Sequence, residues 1–278
     1  MTRILPSTPS LEHLRNQAKA LLRAFHDGEI PALARINEHL SASPAGHHPP
    51  AVSLVSAQHV IAREHGFDSW PKLKRHVLLL HENVQMLAHL RMQVERFASP
   101  KRDWRTLQDA AGELVKAGEA GLEAAIEGLG HANPAVRREC AGYMDHNGTD
   151  ACVPRLQFVA LNDPIPVVRR SAVHSLTCQR CKPCPLIGDI AGFLIEVALS
   201  DSNLHVRREA LYGLCWEPSN AQAVAGLRQI METESNDYLL KMAHLARKHQ
   251  DPDYRRAVES EARERETAGV AGGSVTAA

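Results

Sequence analysis

Aromatic side chains are scarce in this chain: five Phe, four Tyr and three Trp make up only 4% of its 278 residues. That scarcity argues against a β-sandwich, whereas abundant Ala and Leu suit helices packed close together. Charge of either sign is not in excess, since 32 Lys and Arg face 32 Asp and Glu and the isoelectric point is about 7.3. No global field therefore recruits nucleic acid or an anionic membrane. Long apolar runs are missing too; none approaches the roughly 20 residues a membrane-spanning helix needs. The opening Met-Thr-Arg-Ile-Leu-Pro-Ser lacks the apolar region of a signal peptide, so a soluble cytoplasmic protein is expected. Six cysteines in a chain of this size do not form a disulfide framework and suit a reducing compartment. No glycine-rich phosphate loop, nucleophile elbow or His-Glu-x-x-His word occurs. A site assembled from distant residues leaves no such word, so catalysis is not excluded.

What the chain does have is a sentence repeated. Asp163-Pro-Ile-Pro-Val-Val-Arg169-Arg170-Ser-Ala172 is followed by Asp201-Ser-Asn-Leu-His-Val-Arg207-Arg208-Glu-Ala210, each leading to a Leu four residues past the Ala. A looser copy, Asn133-Pro-Ala-Val136-Arg137-Arg138-Glu-Cys140, lies upstream, and a degenerate one, Ser235-Asn-Asp-Tyr-Leu239-Leu240-Lys241-Met-Ala243, lies downstream. Successive copies are 32, 38 and 33 residues apart. Self-similarity at this period is the mark of stacked helix pairs, because one pair cannot bury its apolar face alone.

The residues within each copy explain why a helix starts there. Asp or Asn can accept from the free amides of the first turn, and Pro134 and Pro164 are expected just inside a helix start. Val136, Cys140 and Met144 recur at four-residue spacing, as do Val168, Ala172 and Leu176, and Val206, Ala210 and Leu214. Each trio shares one helix face, and its small middle member permits close approach of a neighbouring helix. Apolar, helix-length stretches at 122–129, 153–161, 190–199 and 224–231 supply the other helix of each pair.

These words resemble HEAT repeats, in particular the short bacterial kind also seen in phycobilisome lyase-type proteins. The resemblance covers 131–250 well and 103–266 loosely, and it implies an all-α α-solenoid of HEAT-like helical hairpins. It also implies a polar ladder between successive units, which carries over to Asp163 with Arg169 and Asp201 with Arg207. Asn133 replaces the Asp of the first clear unit and Leu240 the Arg of the last, as suits units near the ends of an array. A HEAT-repeat hydroxylase that binds two irons through His-Glu pairs is a poor match, because the equivalent places read Arg138-Glu139 and Arg208-Glu209.

Ahead of the repeats, helices are expected from Ser10 to about Gly28, over 31–40, over 54–65 and from Ser69 towards Phe97, with a proline- and histidine-rich loop at 41–50. Ten of the sixteen histidines fall before residue 90, and His47-His48 in that loop read as solvated. Leu11-Glu-His-Leu-Arg-Asn-Gln-Ala-Lys-Ala-Leu-Leu, the run from Ala57 to Phe67, and Ser69-Trp-Pro-Lys-Leu-Lys-Arg-His76 resemble a small helical module that precedes ankyrin repeats in some bacterial proteins. That resemblance implies no activity. Phe67 and Trp70 are expected to lock the third and fourth helices. Ser99-Pro100-Lys101-Arg102-Asp103 marks a boundary, giving an N-terminal module at 1–98, a repeat domain at 103–266 and a disordered tail at 267–278.

Two constellations stand out. Cys178-Gln-Arg-Cys181-Lys-Pro-Cys184 offers three thiols at two-residue spacing, enough to close on one zinc ion with His174 as the nearest fourth ligand. Cys152 or Cys215 would serve only if folding brings them near. An iron-sulfur motif is ruled out by Gly188 where its fourth Cys is needed. The plain alternative is a loop that expanded its unit to 38 residues and binds nothing. The second constellation is the row Arg138, Arg170, Arg208 and Lys241, each one residue past the ladder position, which could meet an acidic partner or be paired with neighbours such as Glu139 and Glu209. Residues 131–250 hold 13 Lys or Arg against 12 Asp or Glu, and of their few aromatics only Trp216 is expected to approach a base, so nucleic-acid binding is disfavoured. The expected function is a scaffold or adaptor that holds another protein or a peptide, with a structural zinc clip. An accessory or lyase-type enzyme acting on a chromophore or modified residue is the alternative that the resemblance implies, and DNA binding through the Arg row is a third.

Overall fold

The computed structural model describes residues 3–40, 52–98, 103–178, 181–182 and 184–272, with side chains as far as 265. Among the described residues there are fourteen α-helices, two short 3-10 turns and no strand, so the protein is all-α. Contacts divide the chain into two units between Ala88 and His89. The expected boundary residues 99–102, the loop at 41–50 and the last part of the expected tail, 273–278, lie outside the described residues, whereas 267–272, expected to be disordered, continue the final helix to Gly272.

The first unit contains α1 (Leu11–His26), α2 (Ile30–Leu40), α3 (Leu54–Glu64) and the beginning of α4 (Trp70–Glu95). Ser10 caps α1 by accepting from the His13 amide, and Gly66, at φ 83°, lets the chain turn sharply after α3. Leu14, Ala18, Leu21, Val60, Ile61, Leu73 and Val77 form the core, with Phe67 and Trp70 packed against it. Glu64 is buried, and Arg35 holds both its oxygens at 2.6 and 2.9 Å.

In the second unit α5 (Trp104–Lys116) precedes four helix pairs: α6 (Glu119–Gly128) with α7 (Pro134–Asn147), α8 (Val153–Asn162) with α9 (Pro166–Thr177), α10 (Ile190–Ser200) with α11 (Leu204–Gly213), and α12 (Ala221–Thr233) with α13 (Asp237–Gln250). Helix α14 (Pro252–Gly272) packs on α13. Second helices pack in sequence, α7 on α9, α9 on α11 and α11 on α13. Val136, Val168 and Val206 are fully buried in one continuous core together with their i+4 and i+8 partners. Stacking is thus the means by which each pair covers its apolar face, and the class that this architecture defines is a HEAT-like stack of helical hairpins.

The ladder exists, but in a different register from the one expected. Arg137 binds Asp163 through hydrogen bonds of 2.5 and 3.0 Å, Arg169 binds Asp201 at 2.7 and 2.8 Å, and Arg207 binds Glu234. Each Arg reaches the acid of the following unit rather than the Asp preceding it in its own. Arg169 takes only the Asp163 backbone carbonyl, at 2.9 Å. The reason is local: each acid also accepts an amide two residues on, from Ile165, Asn203 and Asn236 respectively, which orients its carboxylate around the turn. That turn also displaces a helix start. Pro166, not Pro164, opens α9, because Asp163 to Ile165 is spent on the turn. Pro134 does sit at the start of α7, where Asn133 caps by accepting from Ala135.

Candidate functional site

The side chains with chemistry gather where α7, α9 and α11 run side by side. Asp145 lies near the end of α7 and is 7% exposed. Its Oδ2 faces His174 Nε2 at 3.5 Å and His146 Nε2 at 3.6 Å. His174 Nδ1 lies 2.9 Å from Glu209, which also pairs with Arg208 at 3.2 Å. The result is a line of alternating charge, Asp145, His174, Glu209 and Arg208, across three successive second helices. The carboxylates of Asp145 and then Glu209 hold the His174 imidazolium strongly, raising its pKa to about 10. Burial pushes both acids up, but their contacts with His174 outweigh it and hold them low. A histidine with a carboxylate at each ring nitrogen has no nitrogen facing a thiol, so the nucleophile activation of a Cys-His pair is not set up here.

Beyond Thr177 the chain leaves α9 with Cys178 at its cap, the amide donating to the His174 carbonyl at 2.9 Å. Cys181 returns its sulfur to within 3.1 Å of Cys178 Sγ. Lys182 is buried and donates to the Cys178 carbonyl at 3.3 Å, with its Nζ 3.7 Å from Asp145 Oδ1. Donor atoms of Asp145, Cys178 and Cys181 all lie within 4.8 Å of one another. Contact with the Cys178 thiol, burial and the nearby Asp145 carboxylate push the Cys181 thiol up to about 12. Of the four ligands read from sequence, Cys178 and Cys181 are together, His174 faces carboxylates, and Cys184 is exposed. Cys152 is buried and Cys215 half-buried. Sequence reasoning missed Asp145 and Lys182. Lys182 sat between the cysteines in plain view, whereas Asp145 carries no signal because it is 33 residues before Cys178.

The basic row meets two adjoining hollows on the same face. One, about 390 Å³, is lined by Arg170, His174, Ser171, Asp145, Arg208 and Glu209. The next, about 350 Å³, shares Arg208 and Glu209 and adds Tyr212, Tyr238, Met242 and Leu245. Arg138 pairs with Glu139, and Lys241 is exposed on α13. A larger hollow of about 750 Å³, walled by Val115, Leu122, Ile126 and Tyr143, contains none of the row. Among the described residues no helix is long and apolar enough to cross a membrane.

No protein-family model matches the chain, and no curated protein matches it. Among solved structures, the complex of CpcE and CpcF of phycocyanin lyase from Nostoc sp. PCC7120 is similar at a TM-score of 0.45 and 16% identity, covering 57% of this chain and 98% of that one. An engineered protein is similar at a TM-score of 0.36 and 15% identity, covering 86% of this chain and 97% of that one. The HEAT-like assignment rests on the repeat, the shared core and the ladder, not on these likenesses.

Proposed function

We propose that the face formed by α7, α9, α11 and α13 binds a segment of another protein. The observation that carries this reading is the pair of hollows joined at Arg208 and Glu209. Tyr212 and Tyr238, 43% and 48% exposed, stand on the rim of the second hollow, and Arg170 lines the first. Tyrosine and arginine are the side chains that most often dominate interface energetics, since each combines large contact area with directional polar atoms. Arg138 and Lys241 extend the row. The near balance of charge along 131–250 favours a polypeptide over a polyanion. A zinc clip after α9 would fasten the loop that borders this face.

The test places a photo-crosslinking residue at Tyr212 on the proposed face and, separately, at Phe158 on α8, which is 54% exposed. One protein captured from Tyr212 in the native cell, and lost with Arg208→Glu, supports the reading. Equal capture from Phe158 overturns it. Steeply salt-dependent capture of duplex DNA would return the function to the Arg row acting on phosphates, and a coloured or mass-shifted purified chain would return it to the lyase-type alternative.

A further inference from the structure

We propose that Asp145, Cys178 and Cys181 are the protein ligands of a single zinc-class divalent cation. The Asp145 carboxylate does not figure in the sequence-based ligand set. Three independent features bring it in. Its donor oxygen lies with the two sulfurs inside a 4.8 Å cluster. Its Oδ1 is buried without a hydrogen-bond partner, although Oδ2 is engaged by His174 and His146. The Lys182 ammonium stands 3.7 Å from this oxygen, too far for a hydrogen bond, and a cation bound there would supply the missing partner. Finally, the charges close: one carboxylate and two thiolates are balanced by a divalent ion and the buried Lys182 ammonium, whose Nζ is 3.7 Å from Asp145 Oδ1.

Binding converts two neutral thiols to thiolates and releases two protons, leaving the metal oxidation state unchanged. Zinc-sulfur bonds of about 2.3 Å in a tetrahedron set the sulfurs about 3.8 Å apart, so the present 3.1 Å separation has only to widen slightly. Mixed sulfur and carboxylate donors select a borderline-soft ion over magnesium or calcium. His174, on the far oxygen of Asp145, is a positioning residue of the kind that fixes a ligating carboxylate. Because Asp145 belongs to α7 and the cysteines follow α9, the ion would tie two successive hairpins together.

The inference stands apart from the partner reading: a chain that takes up the ion and binds no protein leaves it intact. The test uses the full chain, reduced and metal-depleted without oxygen, titrated with cobalt(II) and then zinc(II). One equivalent is expected, with a thiolate-to-cobalt absorption band and two protons released per ion. Cys178→Ser and Cys181→Ser abolish the band, and Asp145→Asn weakens affinity by at least about tenfold, the scale seen when a coordinating shell is disturbed, with circular dichroism unchanged. X-ray absorption at the zinc edge of the unaltered chain requires no variant to fold and should report two sulfur ligands beside lighter atoms. Absence of the band, equal affinity in Asp145→Asn, three or four sulfurs at the edge, or isolation of Cys178 and Cys181 as a disulfide under the same anaerobic handling overturns the proposal.

Discussion

Arg169 of one helix pair grips Asp201 of the next through two hydrogen bonds of 2.7 and 2.8 Å, while the same guanidinium holds the Asp163 carbonyl at 2.9 Å. The Arg169 side chain is 11% exposed and that of Asp201 6%, so this pair is a buried rivet between units rather than a surface ornament. Its fork matches the carboxylate in a way that Lys would not.

Removing one half of the rivet should be severe. Arg169→Ala is expected to cost about 3 kcal/mol, because a buried carboxylate is left without its counter-charge. Urea unfolding measures it, and the double variant with Asp201→Ala should lose less than the sum of the singles. Simple additivity would show that the two side chains do not act together.

In the N-terminal unit, Glu64 governs an acid sensitivity. Burial pushes its pKa up, but the Arg35 hydrogen bonds and the charges of Arg35 and Arg3 bring it below its ordinary value of 4.5. The folded state thus binds this proton less readily than the unfolded one, so the stabilisation is present above about pH 4.5 and is lost as pH falls through the lowered value. Glu64→Gln should cost about 2 kcal/mol at pH 7 and progressively less at lower pH. Thermal melts of both chains between pH 7 and pH 3 check this; a gap that fails to narrow on acidification would refute it.

Two glycines in the second unit should respond oppositely to alanine. A Cβ on Gly121 of α6 would lie 1.9 Å from the Leu114 backbone oxygen of α5, an atom that cannot swing aside, whereas one on Gly112 of α5 meets nothing within 4 Å. Gly121→Ala is expected to destabilise by about 1 to 3 kcal/mol or more, and Gly112→Ala to stabilise by roughly 0.5 to 1 kcal/mol. Denaturant midpoints decide.

Gln250 closes the last pair. It is fully buried, donates to the carbonyls of Leu214 and Glu217 at 2.8 and 2.9 Å, and accepts from the Asn220 amide at 3.0 Å. Gln250→Ala leaves these backbone groups without their partner, at a cost of about 2 to 3 kcal/mol. Hydrogen exchange should show the Asn220 amide losing protection first; unchanged protection there would contradict this role.

The repeat alone determined that helix pairs stack, because Val136, Val168 and Val206 head equivalent apolar faces and all three are buried in one core. Spacing and cap residues placed most helix starts within a residue, since those signals act over one turn of chain. The ladder's register was not legible: Arg207 ends on Glu234, an acid outside the recognisable motif, and only the stacking of one hairpin on the next brings the two together. Likewise the cysteines announced a cluster, but Asp145 joined it only through the packing of α7 against α9. Patterns along the chain record what a residue does within its own helix; which distant side chain completes a site is decided by how neighbouring helices are set side by side.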